Sequence, residues 1–207
     1  MKLPLIEMRI DEANESFISA IALVELPAIE SDFLAFNQDK EKYAFSTDDK
    51  MELIGAVMLP DRPIFRTSPK GNFYAVFSKE TIREASQIFS KKGLLQSLNI
   101  EHNSEDPAKG SYIFQSYLTD KNLGVTAPTA LGDLPDGSWI CGMKITDPAL
   151  WKDIKKGTVK GFSVEGLFQL LPTDLMVDGN SDIEDLELQK SIREFNTALE
   201  KVNNKDW

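Results

Sequence analysis

One histidine, His102, and one cysteine, Cys141, are all that 207 residues contain, and that scarcity excludes whole classes of chemistry. A single cysteine forbids an intramolecular disulfide and suits a reducing compartment. One histidine and one cysteine cannot furnish the three protein ligands of a zinc site. Glu101, Glu105 and Asp106 lack the spacing and turn glycine of a calcium loop. No GxxxxGK loop is there to cradle a nucleotide phosphate, so neither a metal nor an organic cofactor is implied. Basic charge is short as well. Against 33 Asp and Glu stand 23 Lys and Arg, a net charge of −10, and without a cationic cluster to release phosphate counterions a nucleic-acid partner is not expected. No run approaches eighteen apolar residues, and Met1–Glu7 lacks the apolar core of a signal peptide, so the chain reads as soluble and cytosolic, with no membrane partner.

What is present looks globular: 42% apolar and 27% charged residues are ordinary values, and the length suits one domain with an appendage. The boundary falls at 177/178. Residues 178–207 hold eight carboxylates against four basic side chains. Ser181-Asp182-Ile183-Glu184 reads as a capping box, and Leu188, Ile192, Phe195, Leu199 and Val202 form an apolar stripe at spacings of four and three. An acidic amphipathic helix of about 20 residues is expected there. It needs a partner surface, in its own domain, in a second copy that would make a homo-oligomer, or on another protein.

Within 1–177, strand-like runs occur at Phe17–Val24, Leu53–Leu59, Asn72–Phe77, Ser111–Leu118, Trp139–Ile145 and around Ser163. Ser78 can cap a helix that ends before Gly93, and Asp147-Pro148 opens a short one that ends at Gly157. Glu105–Gly110 and Asn122–Gly137 have turn composition. Regular βαβ alternation is missing, so the expected fold class is α+β, mainly an antiparallel barrel flanked by short helices.

The chemistry centres on Val159-Lys160-Gly161-Phe162-Ser163-Val164-Glu165-Gly166-Leu167-Phe168. Alternation puts Phe162, Val164 and Phe168 on one face, with Ser163, Glu165 and Leu167 on the other. Gly161 and Gly166 admit the close approach of another backbone or of a substrate strand. A serine hydroxyl becomes a nucleophile only when a base takes its proton, and His102 is the one histidine available. The plain alternative is a surface histidine and a serine chosen for its size. Glu165, about 7 Å along the strand on the serine's face, could orient the imidazole, bind substrate or simply be solvated. Cys141 could in principle pair with His102, but Trp139-Ile140-Cys141-Gly142-Met143 reads as core.

These pieces, taken in order, resemble the phage prohead proteases, and most closely their XkdF-like serine protease branch. The resemblance rests on Ile21-Ala22-Leu23-Val24-Glu25-Leu26-Pro27-Ala28-Ile29-Glu30, on Gly55-Ala56-Val57-Met58-Leu59-Pro60-Asp61 with Ile64 and Arg66, and on Tyr74-Ala75-Val76-Phe77-Ser78. It continues through Asn99-Ile100-Glu101-His102, Gln115-Ser116-Tyr117, Gly137-Ser138-Trp139, Trp151 and Lys160–Gly166, covering residues 15 to 170. It implies an assemblin-like fold and an endopeptidase inside the immature capsid in the host cytoplasm. Such an enzyme cuts scaffold protein, the scaffold-like segment of the major capsid protein, and often itself. Ser163 would be the nucleophile, His102 the general base, and backbone N–H groups near the serine the oxyanion donors. The resemblance also expects a strand with an acidic third member after the serine. Here the comparable Ala20–Ala28 precedes it, as in a circular permutation, with about Ala20 in the acid's place. Glu165 is the first candidate for that role, Asp120 the second, and a Ser–His dyad stays open. Two rivals remain: a non-catalytic virion or scaffold-associated module, and an esterase or amidase with a closed apolar pocket.

Overall fold

The computed structural model describes residues 2–26, 34–35 and 50–178; the expected tail helix lies outside them. Twelve strands and two helices follow one another. First come β1 (Lys2–Arg9), β2 (Ile18–Val24), β3 (Leu34–Ala35), β4 (Glu52–Met58), β5 (Ile64–Ser68) and β6 (Gly71–Val76). Helix α1 (Lys79–Lys91) is followed by β7 (Leu98–Ile100), β8 (Asn103–Pro107), β9 (Tyr112–Leu118) and β10 (Trp139–Lys144). Helix α2 (Pro148–Lys155), β11 (Gly161–Gly166) and β12 (Gln169–Asp178) complete the described chain.

The helices begin where side-chain caps are available. Ser78 Oγ accepts the Thr81 N–H at 3.2 Å, and Asp147 Oδ1 accepts that of Ala149 at 2.8 Å, with Pro148 pre-set for the first turn. Beyond α1 the chain turns at Gly93, φ 70°, a left-handed conformation that glycine adopts without a Cβ penalty. Ile82, Ala85 and Phe89 form the buried stripe of α1, and Phe89 meets Trp139 edge to face at 5.5 Å. Burying an isoleucine or phenylalanine contributes roughly 1.5–3 kcal/mol, so this contact anchors α1 more firmly than its cap.

The strands form three four-stranded sheets, ordered β12-β1-β6-β5, β3-β4-β10-β9 and β11-β2-β7-β8. Most pairs are antiparallel, as expected, but β1 with β6 and β2 with β7 run parallel. The expected barrel is not formed: the sheets are open, each with two edge strands among the described residues. Strands β11 and β4 lie side by side, and Phe162 and Val57 join them through the apolar core, without the backbone ladder that closure demands. One large core collects Ile21, Leu23, Leu53, Phe89, Trp139, Ile140 and Phe162, all at most 1% exposed. Leu5, Tyr74, Val76 and Val177 make a smaller one between β1, β6 and β12.

Candidate functional site

Ser163 sits mid-strand in β11, facing Ala22 of β2, which in turn faces Asn99 of β7. The three residues form one row across the sheet. Phe162 is buried in the large core and Val164 packs against it, so the alternation of this segment is as read from the sequence. Ser163 is 6% exposed, and its Oγ makes no hydrogen bond to a described residue.

The ladder assigns the backbone groups. Ile21 N–H donates to Ser97 O at 3.0 Å, and Glu101 N–H to Leu23 O at 3.1 Å, so Ile21 and Leu23 turn their polar groups toward β7. Ala22 must then turn its own toward β11, making Ala22 and Ser163 a hydrogen-bonded pair. The Ser163 N–H is thereby used within the sheet. Among the backbone donors expected near the serine, the Ser163 N–H is therefore not a free one. Val164 has the opposite parity: its N–H and C=O point away from β2, along the edge of the sheet.

His102 is on the tip of the β7–β8 hairpin, where Ile100 pairs with Asn103. That leaves Glu101 and His102 as a two-residue turn, at φ 51° and 58°. A turn with both central residues left-handed normally takes Asn-Gly or Asp-Gly. A glutamate and a histidine there cost on the order of 1 kcal/mol each. Glu101 offsets part of its cost, because its Oε1 accepts the Glu25 N–H at 2.6 Å. His102 finds its partner across the sheet: Nδ1 lies 3.1 Å from Glu165 Oε1. A carboxylate can only accept, so the proton is assigned to Nδ1 and Nε2 is left as the basic nitrogen.

The same Glu165 oxygen accepts the Asn99 side-chain N–H at 2.6 Å. Asn99 is 5% exposed and its Oδ1 is buried without a hydrogen-bond partner among the described residues. Sequence reasoning missed Asn99, although it stands three residues before His102 in a strand; only pairing of β7 with β2 brings it to β11. Glu165 itself pairs with Ala20, the position where the resemblance expects an acid, so the residue directly across the ladder supplies a carboxylate that β2 lacks.

The other candidates go elsewhere. Asp120 caps a short turn, accepting the N–H groups of Asn122 and Leu123 at 3.0 and 3.2 Å, and lies 3.9 Å from Arg83. Cys141 is fully buried in β10, and burial pushes its thiol up to about 12, which leaves it protonated and unreactive. Gly166 does admit a close backbone, but it is the chain's own: a Cβ there would lie 2.4 Å from Phe17 O. Among the described residues no group of three His, Cys, Asp or Glu could hold a metal ion, and no helix is long and apolar enough to cross a membrane.

An open groove of about 590 Å³ runs past Val164, Glu165, Gly166, Phe77 and Arg66. A narrow cavity of about 10 Å³, room for no more than one water-sized probe, is lined by Ser163, Phe162, Val57, Arg66, Phe77 and Val164. Arg66, Phe77 and Val164 border both spaces. A groove of this kind suits an extended chain better than the closed pocket an esterase would need.

No curated protein and no solved structure matches the chain. A family model described as "putative phage serine protease XkdF" matches residues 42–171, a span that contains the groove-lining Arg66 together with His102, Ser163 and Glu165. The chain therefore belongs to this XkdF family of phage proteins.

Proposed function

We propose that the protein is a serine endopeptidase of phage procapsid maturation that cuts scaffold protein and the scaffold-like segment of the major capsid protein. One observation carries the reading: the sole histidine is held by a carboxylate two residues along the strand from the serine. In this scheme Glu165 fixes the imidazole with Nδ1 protonated. His102 Nε2 takes the Ser163 proton as Oγ attacks the scissile carbonyl, and returns it to the leaving amine; water then cleaves the acyl-enzyme. The His102–Glu165 contact supports this reading, and no Ser163–His102 hydrogen bond accompanies it. The hydroxyl and ring have to close together when substrate arrives, as catalytic hydrogen bonds often do.

The buried Ser163 hydroxyl, without a hydrogen bond to a described residue, favours one other reading, a non-catalytic module in virion or scaffold. Co-expression with scaffold and capsid protein separates the two. Replacing Ser163 with alanine should stop scaffold cleavage and leave shells assembled around uncut scaffold. Unaltered cleavage by the S163A protein, or none by the wild type, would remove the protease reading.

A further inference from the structure

Among the described residues Arg66 is a charge without a counter-charge. The chain carries ten more acidic than basic side chains, yet no ion pair joins this guanidinium to a described carboxylate. Of its five N–H donors, only Nη1 has a hydrogen bond to a described residue, the neighbouring Phe65 carbonyl at 2.9 Å. It is half-buried, and the loss of surrounding water pushes its pKa below the usual arginine value. Arginine keeps its charge all the same, and a desolvated charge is costly until something pairs with it. The two carboxylates of the groove, Glu15 and Glu165, do not pair with it; Glu165 is committed to Asn99 and His102.

Position gives the unpaired charge a meaning. Arg66 borders the groove and also the cavity beside Ser163. So does Val164, whose N–H and C=O point away from β2. The walls between them are apolar: Phe77 and Phe168 meet edge to face at 5.1 Å, with Met8 and Phe17 beyond. Such walls lower the local dielectric and strengthen a carboxylate–guanidinium contact, which arginine makes through two parallel hydrogen bonds.

From this placement we infer that Arg66 is a specificity residue. It selects extended peptide segments that carry an aspartate or glutamate side chain beside the bond presented to Ser163. The inference rests on the protease reading for that bond, but the peptide selection is measurable without turnover.

The experiment uses labelled decapeptides of neutral sequence with one scanned position set to Glu, Gln or Lys. Fluorescence anisotropy reports their binding to the full-length S163A protein, and cleavage by the wild type is followed in parallel. Glu peptides should bind about 10-fold or more tightly than Gln peptides. The change Arg66→Gln should bring that ratio to about one, and Arg66→Lys should keep part of it, with circular dichroism confirming that both variants fold. Equal binding of Glu and Gln peptides by S163A would overturn the inference, as would a preference that survives Arg66→Gln. A third contrary result is an equal loss of cleavage on Glu and Gln peptides in the Arg66→Gln enzyme, which assigns Arg66 to the oxyanion. Should the wild type cut nothing while S163A still prefers Glu peptides through Arg66, the selection stands and the protease reading falls.

Discussion

Asn99 donates to the same Glu165 oxygen that faces His102, at 2.6 Å against 3.1 Å. The buried amide thus holds the carboxylate from behind while the half-exposed imidazole meets it from the solvent side. A charge-assisted bond of this kind contributes about 1.5–3 kcal/mol, enough to choose one rotamer of a glutamate on an open strand. The consequence for catalysis is indirect. Replacing Asn99 with alanine should lower kcat roughly 10-fold with little change in KM, since substrate is not touched. Glu165→Gln, which keeps a side chain of the same shape and removes the charge, should cost on the order of 10²- to 10⁴-fold in kcat. A larger loss for Asn99→Ala than for Glu165→Gln would mean that Asn99 itself touches the reacting groups.

The strained turn at Glu101-His102 predicts a trade of activity against stability. Glycine at His102 relieves the left-handed penalty of about 1 kcal/mol. It loses only a partly exposed contact, worth at most about 1 kcal/mol. The H102G protein should therefore unfold at the same denaturant concentration as the wild type or a higher one, while cleavage disappears. A fall in stability beyond about 1 kcal/mol would mean that the histidine is held for structure.

Gly166→Ala tests the close backbone approach beside the site. The new methyl would meet Phe17 O at 2.4 Å and Ile18 Cα at 2.9 Å, atoms that cannot step aside without shifting β2. A loss of about 1–3 kcal/mol is expected in urea titration. The shift would also move Ala20 against Glu165, so activity should fall more than stability alone explains.

Cys141 provides a pH-dependent check on the core. Its folded-state pKa is raised by burial, with the Ser116 hydroxyl opposing, to about 12. A thiol in the unfolded chain ionises near 8.5. Between those values the unfolded state binds fewer protons than the native one, so stability falls as pH rises through the window and is fully present below it. Cys141→Ala should remove that alkaline loss. The native thiol should resist a disulfide-exchange reagent at pH 8 until denaturant is added. Prompt labelling of the folded protein would show that β10 opens locally.

Local pattern determined a good deal of this protein. The strand around Ser163, its two faces, both helix starts and the core place of Cys141 follow from alternation, capping residues and turn chemistry, which act over a few residues. Prolines hid other elements. Pro4 and Pro172 argue against strands, yet β1 accommodates Pro4 beside a bulge and β12 carries Pro172 on a sheet edge, the two settings in which a missing N–H is harmless. The tertiary structure alone decided which strands became neighbours. Pairing of β11 with β2 and of β2 with β7 set Glu165 opposite Ala20, brought Asn99 and His102 to the same carboxylate oxygen, and turned the Ser163 N–H inward. Those contacts join residues more than sixty positions apart. Their register is selected by burial of Ile21, Leu23 and Phe162 in one core. A slip of one residue would turn every side chain of the strand to the wrong face, and such a choice between alternative pairings has no signature in any short window of sequence.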